Sequence, residues 1–474
     1  MTRDAATAIP AARRIADFAA GLDAATLPAA VREAARLHLL DALGVGMAAA
    51  SLAIRPRIED AVALLGCGGR STGLGASAPM PAPAAALLNG SLIHALEFDD
   101  THMAAVVHAS AVVAPAALAM AEHVGASGAE LLAAYVLGFE VMTRAGLAGP
   151  SVFQTRGFQS TAVLGAPAAA LVAARLAGSG ADGMVHAMGV AGSQAGGIFE
   201  FLTMGGTVKM IHGGWPAHAG VMAAALAGSG LTGPATVLDG ERGLYRAFAA
   251  APEAAIRLAR ELDDLGTRWR VTEAAFKPWP CCHYLQSSIE CLRDILASGI
   301  AARDVTRLEC ELPAEVAWLV CEPWAEKLAP ASGHVAKFSL PYCLAAVLTD
   351  GDVSVDTFDR SAPDPRLAAA MATTSWRPMA DSGFPSRYPA RLHVTTRDGG
   401  VHTAEVMDVL GSPTRPMTAT EVRAKFRRNA ARLLDDRGVE AVLSAVDCLD
   451  RAPDLGALSD ALRSAGAQPR KAAS

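Results

Sequence analysis

A chain of 474 residues is long enough for two or three domains, or for one large core with insertions. Hydrophobic residues make up 52% of it but aromatics only 5%; the apolar content is mostly Ala, Val and Leu, which predicts a mainly helical protein because Ala gives up no rotamer freedom in a helix. The formal net charge of -6 argues against a nucleic-acid binder, which needs a basic face to displace counterions from phosphates.

The opening stretch MTRDAATAIPAARRIADF has charges breaking any apolar run, so no signal peptide is expected. The longest apolar runs, such as ASAVVAPAALAMA, fall short of a membrane span. The expectation is a cytoplasmic protein with no membrane and no nucleic acid among its partners. Eight cysteines are scattered without a CxxC pair or zinc-type spacing, which fits reduced thiols. From about residue 9 to 260 the pattern predicts helix after helix. LPAAVREAARLHLLDALGVGMAAA places apolar residues at helical spacing behind a proline suited to a first turn. GAELLAAYVLGFEVMTRAG, TAVLGAPAAALVAARLAG and HAGVMAAALAGSG follow, several of them ending in the glycine that stops a helix. Two segments, near 161–177 and 217–228, carry almost no charge on any face and belong in the middle of a bundle.

The texture changes near Arg270. DVTRLECELP (304–313) alternates like a strand, and ARLHVTT-RDGG-VHTAEV (390–406) reads as a hairpin around a glycine-containing turn. Between them FSLPYCLAAVLTDG is helical. From Thr418 the helical pattern returns, with Thr418 or Thr420 as a cap and Glu421 in the first turn. The fold class is therefore mainly α: a large all-helical domain built from both chain ends, residues 1–268 and 411–474, with an α+β domain inserted at 269–410. The chain must cross between the two domains twice, and ligand sites favour such boundaries.

Four polar islands interrupt the apolar chain: HALEFDDTHMAAVVHASAVV (94–113), RGFQSTAVLG (156–165), MGGTVKMIHGGWPAHAG (204–220) and FKPWPCCHYLQ (276–286). Taken singly, each has a bland reading as a solvated loop or a satisfied core histidine. The Gly-rich run of the third lacks the GxxxxGK[ST] spacing of a phosphate loop. Glu97, Asp99, Asp100, His102 and His108 are metal-ligand types, but adjacent aspartates diverge on any regular backbone and the two histidines are six apart, so no metal is expected. Taken together, the islands supply two lysines, several histidines, a hydroxyl and carboxylates. Only six of the 41 Lys+Arg are lysines, so a Lys inside such an island carries information. The set suits a small polyanion: Lys and His⁺ neutralise its carboxylates, and a neutral Lys or His removes a proton next to one of them. No nicotinamide, flavin or pyridoxal fingerprint is visible, and no cofactor is expected.

HALEFDDTH, HASAVVAPAALAMAE, GFQSTAVLGAPAAA, GGTVKMIHGGWPAHAG and FKPWPCCHY, in this order, resemble the successive motifs of the MmgE/PrpD family, which includes 2-methylcitrate dehydratases, cis-aconitate decarboxylases and an epimerase of iminodisuccinate. The resemblance covers almost the whole chain. It implies that the inserted domain is a lid, that the protein is a homodimer, that the site lies in the cleft between domains, and that metal-independent chemistry acts on small di- or tricarboxylates. It maps the family's acidic residue onto Glu97, where Asp is frequent, the motif threonine onto Thr101, the helix-opening histidine onto His108, the lysine of the Gly-rich motif onto Lys209 followed by His212, and the lysine of the lid motif onto Lys277. Gln159 and Gln286 stand where histidines are frequent in the family, and the decarboxylases place a histidine near Cys282–His283.

The resulting expectation is a cofactor-independent hydro-lyase, with His108, Lys209, Lys277 and His212 as catalytic groups and Glu97, Asp99, Thr101, Gln159, Cys282 and His283 binding a small polycarboxylate. Gln can hydrogen-bond a carboxylate but cannot carry a proton, so Gln159 weighs against decarboxylation and leaves dehydration and epimerisation open. The alternatives are an isomerase or epimerase, a decarboxylase of the same family, and a degenerate carboxylate-binding paralogue.

Overall fold

The computed structural model describes residues 9–204, 206–360 and 364–463. Its chain divides into two compact units. Among the described residues, the first takes residues 9–95, Asp99–Ala274 and 418–463; the second takes Leu96–Phe98 and Ala275–Met417. The unit boundaries thus lie a few residues beyond those drawn from the sequence at 268/269 and 410/411. Arg270 explains the first difference: its guanidinium reaches Glu261 (2.8 Å), and the next N–H, of Val271, donates to Glu140 (3.0 Å), which ties this segment to the helices before it.

The first unit is helical. Ala29–Ala50 starts behind Pro28, whose fixed φ suits helix entry, and most of the helix is buried. Gly128–Ala148 opens with a capping box, Ser127 and Glu130 exchanging side-chain and backbone hydrogen bonds. This helix is long and apolar enough to cross a membrane by length and composition, which the sequence reading did not foresee; 94% of its apolar window is buried inside the fold. It also carries the fully buried Glu140 and Arg144, so it is a core helix. Ser160–Leu176 is buried almost throughout, as its lack of charge requires. The 217–228 segment differs: it is the end of helix Ile211–Gly228, and Ala225 and Gly228 emerge into solvent because the last turn runs past its neighbours.

Three glycines permit one close helix crossing in this unit. Helix Ala82–His94 crosses helix Ile211–Gly228 backbone to backbone at Gly90, Gly213 and Gly214. A Cβ on Gly213 would stand 2.6 Å from the Gly90 carbonyl oxygen and 2.9 Å from the His94 Cβ. Gly213 and Gly214 of the third island therefore form a helix crossing, which brings His94 close to the start of the helix that carries His212. At the C-terminal side, helix Ala419–Ala430 opens with a Thr418–Glu421 capping box and inserts Lys425 against Asp41 (2.8 Å), both fully buried.

The second unit is a four-stranded sheet with helices on one face, in the order β2-β1-β3-β4. β1 (Val305–Leu312) and the hairpin β3 (Ala390–Thr396) and β4 (Val401–Val406) pair antiparallel, with Cys310 opposite Leu392 and Leu392 opposite Ala404. The sequence reading did not include β2 (Thr374–Pro378), which pairs parallel to β1. Leu308, Cys310, Leu312, Leu392 and Val394 pack on helices Gln286–Ala297 and Leu340–Asp350 through Ile289, Leu292 and Leu344. The opposite face is ionic: Glu311 is held by Arg377 (2.5 Å), Arg391 (2.9 Å) and His393 (2.9 Å).

Candidate active site

The first polar island lies where two helices are joined. Helix Ala82–His94 ends at His94, and His108 is the residue that starts helix Ala109–Val124. Between them the chain folds on itself: the His102 N–H donates to the Val107 carbonyl (2.9 Å), and Val106 takes a positive φ of 53°. Two helix ends in the middle of an apolar bundle leave polar backbone groups to be satisfied, and charged side chains there must find partners. They do. His94, Asp99, Asp100 and Thr101 are buried, and the His108 side chain retains 17% exposure.

The adjacent aspartates point to different partners. The Asp100 carboxylate lies 2.8 Å from His38 Nδ1 in an ion-pair contact and accepts from the Ser110 hydroxyl (2.5 Å); the Tyr135 hydroxyl in turn donates to Ser110 Oγ (2.6 Å). Asp99 stands between two imidazoles, with its Oδ2 2.8 Å from His94 Nδ1 and 3.5 Å from His108 Nδ1. The two rings meet edge to face at 5.2 Å. His108 is fixed further by its Nδ1–H donating to the Asp100 carbonyl (2.9 Å), by Thr101 Oγ1 at 3.2 Å from the same nitrogen, and by its backbone N–H donating to Thr161 Oγ1 (3.1 Å).

The second and third islands join this cluster through Gln159. That residue precedes helix Ser160–Leu176 but does not cap it with its side chain. Its amide instead lies between two rings, with Nε2 3.1 Å from His94 Nε2 and Oε1 2.6 Å from His212 Nδ1. His212 sits on the first turn of helix Ile211–Gly228, against the edge of Phe201 at 5.6 Å. Burial, with the nearby His94 and Lys209, lowers its pKa to about 4, so its ring is neutral at pH 7. Lys209, on the short turn Thr207–Met210 before that helix, is buried.

Burying His212 neutral makes the fold acid-sensitive. In the unfolded chain the ring takes a proton below its ordinary value of 6.5; in the fold it resists until about 4. Between those values acid favours the unfolded state, so stability rises with pH across this window, by on the order of 3 kcal/mol. Thermal unfolding from pH 4 to 7 is expected to be less pH-dependent in a His212→Asn variant than in the parent.

Glu97 and Lys277 belong to the second unit. The Lys277 ammonium, fully buried, donates to the Glu97 carbonyl (3.1 Å). Glu97 adopts φ 55°, a left-handed conformation that costs a non-glycine residue on the order of 1 kcal/mol and persists where surrounding contacts enforce it. Cys282 and His283 lie in the same unit. Burial pushes the Cys282 thiol up to about 12, which keeps it protonated, and the His283 ring packs edge-on against Tyr388 at 5.4 Å. Gln286 is structural: its amide accepts from the Trp279 N–H (3.1 Å) and donates to the Trp279 and Cys281 carbonyls (3.1 and 3.2 Å), closing the turn that follows Lys277.

The helical unit thus assembles Asp99, Thr101, His108, Gln159 and His212 from three separated stretches, together with His94 and His38, which sequence reasoning did not select. The signal for His94 was its place five residues before Asp99 at the end of a helix. Among the described residues no group of three or more His, Cys, Asp or Glu side chains is arranged to hold a metal ion. What the arrangement offers is proton chemistry: a partly exposed imidazole, His108, backed by a buried carboxylate.

Comparison with known proteins agrees over nearly the full length. The MmgE/PrpD N-terminal domain model matches residues 13–257, and the MmgE/PrpD C-terminal domain model matches residues 279–451. A cis-aconitate decarboxylase-like protein of Aspergillus oryzae is 28% identical over 457 residues, covering 91% of this chain and 93% of its own. The cis-aconitate decarboxylase of Aspergillus terreus is 26% identical over 468 residues, covering 94% and 95%. That of Homo sapiens is 28% identical over 413 residues, covering 83% and 82%.

Proposed function

Because the chain belongs to the MmgE/PrpD family, we propose that it is a lyase acting on a small di- or tricarboxylate by moving a proton at a carbon next to a carboxylate. The observation that carries this reading is the placement of His108: its Nδ1 is committed to the Asp100 carbonyl and faces Asp99, its side chain keeps 17% exposure, and we assign proton exchange with substrate to its Nε2. His212, kept neutral, is the second acid–base group. Lys209 and Lys277 neutralise substrate carboxylates or shuttle the proton, and Thr101 orients the substrate hydroxyl or His108. Glu97, Cys282 and His283 complete the set as binding groups, with Gln159 between two of the imidazoles. No metal or cofactor enters this scheme.

The first form of the reaction is dehydration. A base takes the C–H proton beside the carboxylate, the β C–O bond breaks, and an acid protonates the departing hydroxyl to water, leaving an alkene. A second form, decarboxylation, is favoured by the relatives, whose names assign them that activity on cis-aconitate. In it CO₂ leaves, the C–CO₂ electron pair forms a new C=C to the adjacent carbon, the original π pair shifts to the far carbon, and the acid delivers a proton there. The sequence argument against this form was that Gln159 cannot donate a proton. Gln159 lies between two histidines, however, so proton-carrying groups adjoin that position.

Incubation with citrate, 2-methylcitrate and cis-aconitate, with and without EDTA, separates the forms: an alkene product without CO₂ supports dehydration, and CO₂ release supports decarboxylation. Deuterium incorporated from heavy water without either product supports epimerisation instead, and binding without turnover removes the enzymatic reading. On the active substrate, Lys209→Ala and Lys277→Ala are each expected to lower turnover by about tenfold or more with circular dichroism unchanged; full activity in both would remove the lysines from the site. A cytoplasmic homodimer with a lid domain belongs to the same proposal. Ile211 and Trp215, exposed one turn apart on a single helix face, support the dimer.

A further inference from the structure

We propose that Gln159 is a positioning residue that fixes both His94 and His212 as neutral Nδ1–H tautomers, so that Asp99 keeps its negative charge for His108. The inference rests on the acid–base reading of this site. It follows from counting donors and acceptors along one line of contacts.

An ionised carboxylate only accepts, so the 2.8 Å contact between Asp99 Oδ2 and His94 requires the proton on His94 Nδ1. A neutral His94 then offers a lone pair at Nε2, which accepts from the Gln159 NH₂ group at 3.1 Å. The amide has one oxygen and one nitrogen. With the nitrogen spent on His94, its oxygen faces His212 and accepts from a proton on Nδ1 at 2.6 Å. The ladder therefore runs one way, from His212 through Gln159 and His94 to Asp99. The reverse amide orientation would set an oxygen against His94 Nε2 and demand a doubly protonated His94 next to Asp99.

The direction matters because Asp99 is shared. Its Oδ2 lies 3.5 Å from His108 Nδ1. A positively charged His94 would cancel the carboxylate and place a like charge in the ring packed 5.2 Å from His108, lowering the affinity of His108 for a proton. A neutral His94 leaves the Asp99 charge acting on His108. Other charged or titratable groups near the line include Asp100, whose carboxylate lies 2.8 Å from His38 Nδ1, and Lys209, whose charge adds to burial in keeping His212 neutral. Gln159 contacts the His94 and His212 rings, and His94 packs on His108, so Gln159 acts on His108 through His94. A histidine at 159 would titrate inside the ladder, whereas an amide cannot.

The direct test reads protons in the resting protein, without substrate: two-bond ¹H–¹⁵N spectra of histidine-labelled protein at neutral pH. The parent is expected to show His94 and His212 protonated on Nδ1 alone, each assigned by a His→Gln variant. Gln159→Glu, which can only accept, is expected to convert His94 to the doubly protonated form. Gln159→Leu removes the link, and its turnover on the substrate found above is expected to fall about tenfold or more in kcat, with the acid limb of the pH profile displaced and KM changed by less than about threefold. A doubly protonated His94 in the parent, or a His94 signal unmoved in Gln159→Glu, overturns the ladder whatever the enzyme turns over. Absence of turnover with the parent spectrum as expected overturns only the lyase reading.

Discussion

Replacing His108 with asparagine is expected to lower turnover by on the order of 10²–10⁴-fold while leaving the fold and substrate affinity nearly unchanged. The asparagine amide can still donate to the Asp100 carbonyl, which His108 Nδ1 serves at 2.9 Å, and the backbone N–H still reaches Thr161. What is lost is a group that can gain and release a proton, since an amide does neither. The effect should therefore appear in kcat and kcat/KM together, the pattern of an interaction made in the transition state, with KM little moved. The limb of the pH profile due to this imidazole should disappear. Steady-state kinetics across pH on the substrate identified above checks this. A variant that keeps parental kcat would move the proton transfer to His212 or the lysines and leave His108 a structural cap.

Much of this site was legible as residue types and little of it as geometry. In an Ala-rich bundle a polar island needs a reason, and that logic selected Asp99, Thr101, His108, Gln159 and His212. It did not select His94, because the role of His94 depends on how closely two helices cross. That distance is set by Gly90 meeting Gly213 and Gly214, residues more than a hundred positions apart; no periodicity within one helix encodes it. Gln159 was read as a weakened histidine, whereas its amide supplies one donor and one acceptor to two different rings. The same division runs through the fold. The 390–406 hairpin is a local pattern and was readable; β2, with the sequence TSWRP, is five residues long, ends in proline and pairs in parallel with a strand some sixty residues earlier, so nothing nearby announces it. The texture change near Arg270 marked a real shift in sequence, but Arg270 and Val271 are bonded to Glu261 and Glu140 and stay with the helices.

The Lys425–Asp41 pair yields the largest expected change in stability. Lys425, on the first helix after Thr418, reaches back to Asp41 on Ala29–Ala50, with Nζ 2.8 and 3.0 Å from the two carboxylate oxygens, and neither side chain has appreciable exposure. Burial drives the Asp41 pKa up and Lys425 is the main influence pulling it down. Removing only the cation, in Lys425→Met, strands a carboxylate in the core and is expected to cost about 3–5 kcal/mol. Removing the charge from both partners, in Lys425→Met with Asp41→Asn, should recover much of that loss, because the dominant penalty is an unpaired charge. The pH dependence gives an independent sign. In the single variant the folded-state pKa of Asp41 lies above the unfolded value, so the deficit relative to the parent is fully present at neutral pH and shrinks as acid protonates Asp41. The consequence reaches the site, since Asp41 and His38 lie one turn apart on the same helix and His38 Nδ1 stands 2.8 Å from the carboxylate of Asp100, whose carbonyl holds His108. Chemical denaturation of the parent and both variants at two pH values, followed by activity on the folded fraction, checks the argument. If the C-terminal helices serve only as cover, the double variant will regain stability and full activity alike; if the pair also fixes the Asp100 end of the network, activity will lag behind the recovered stability.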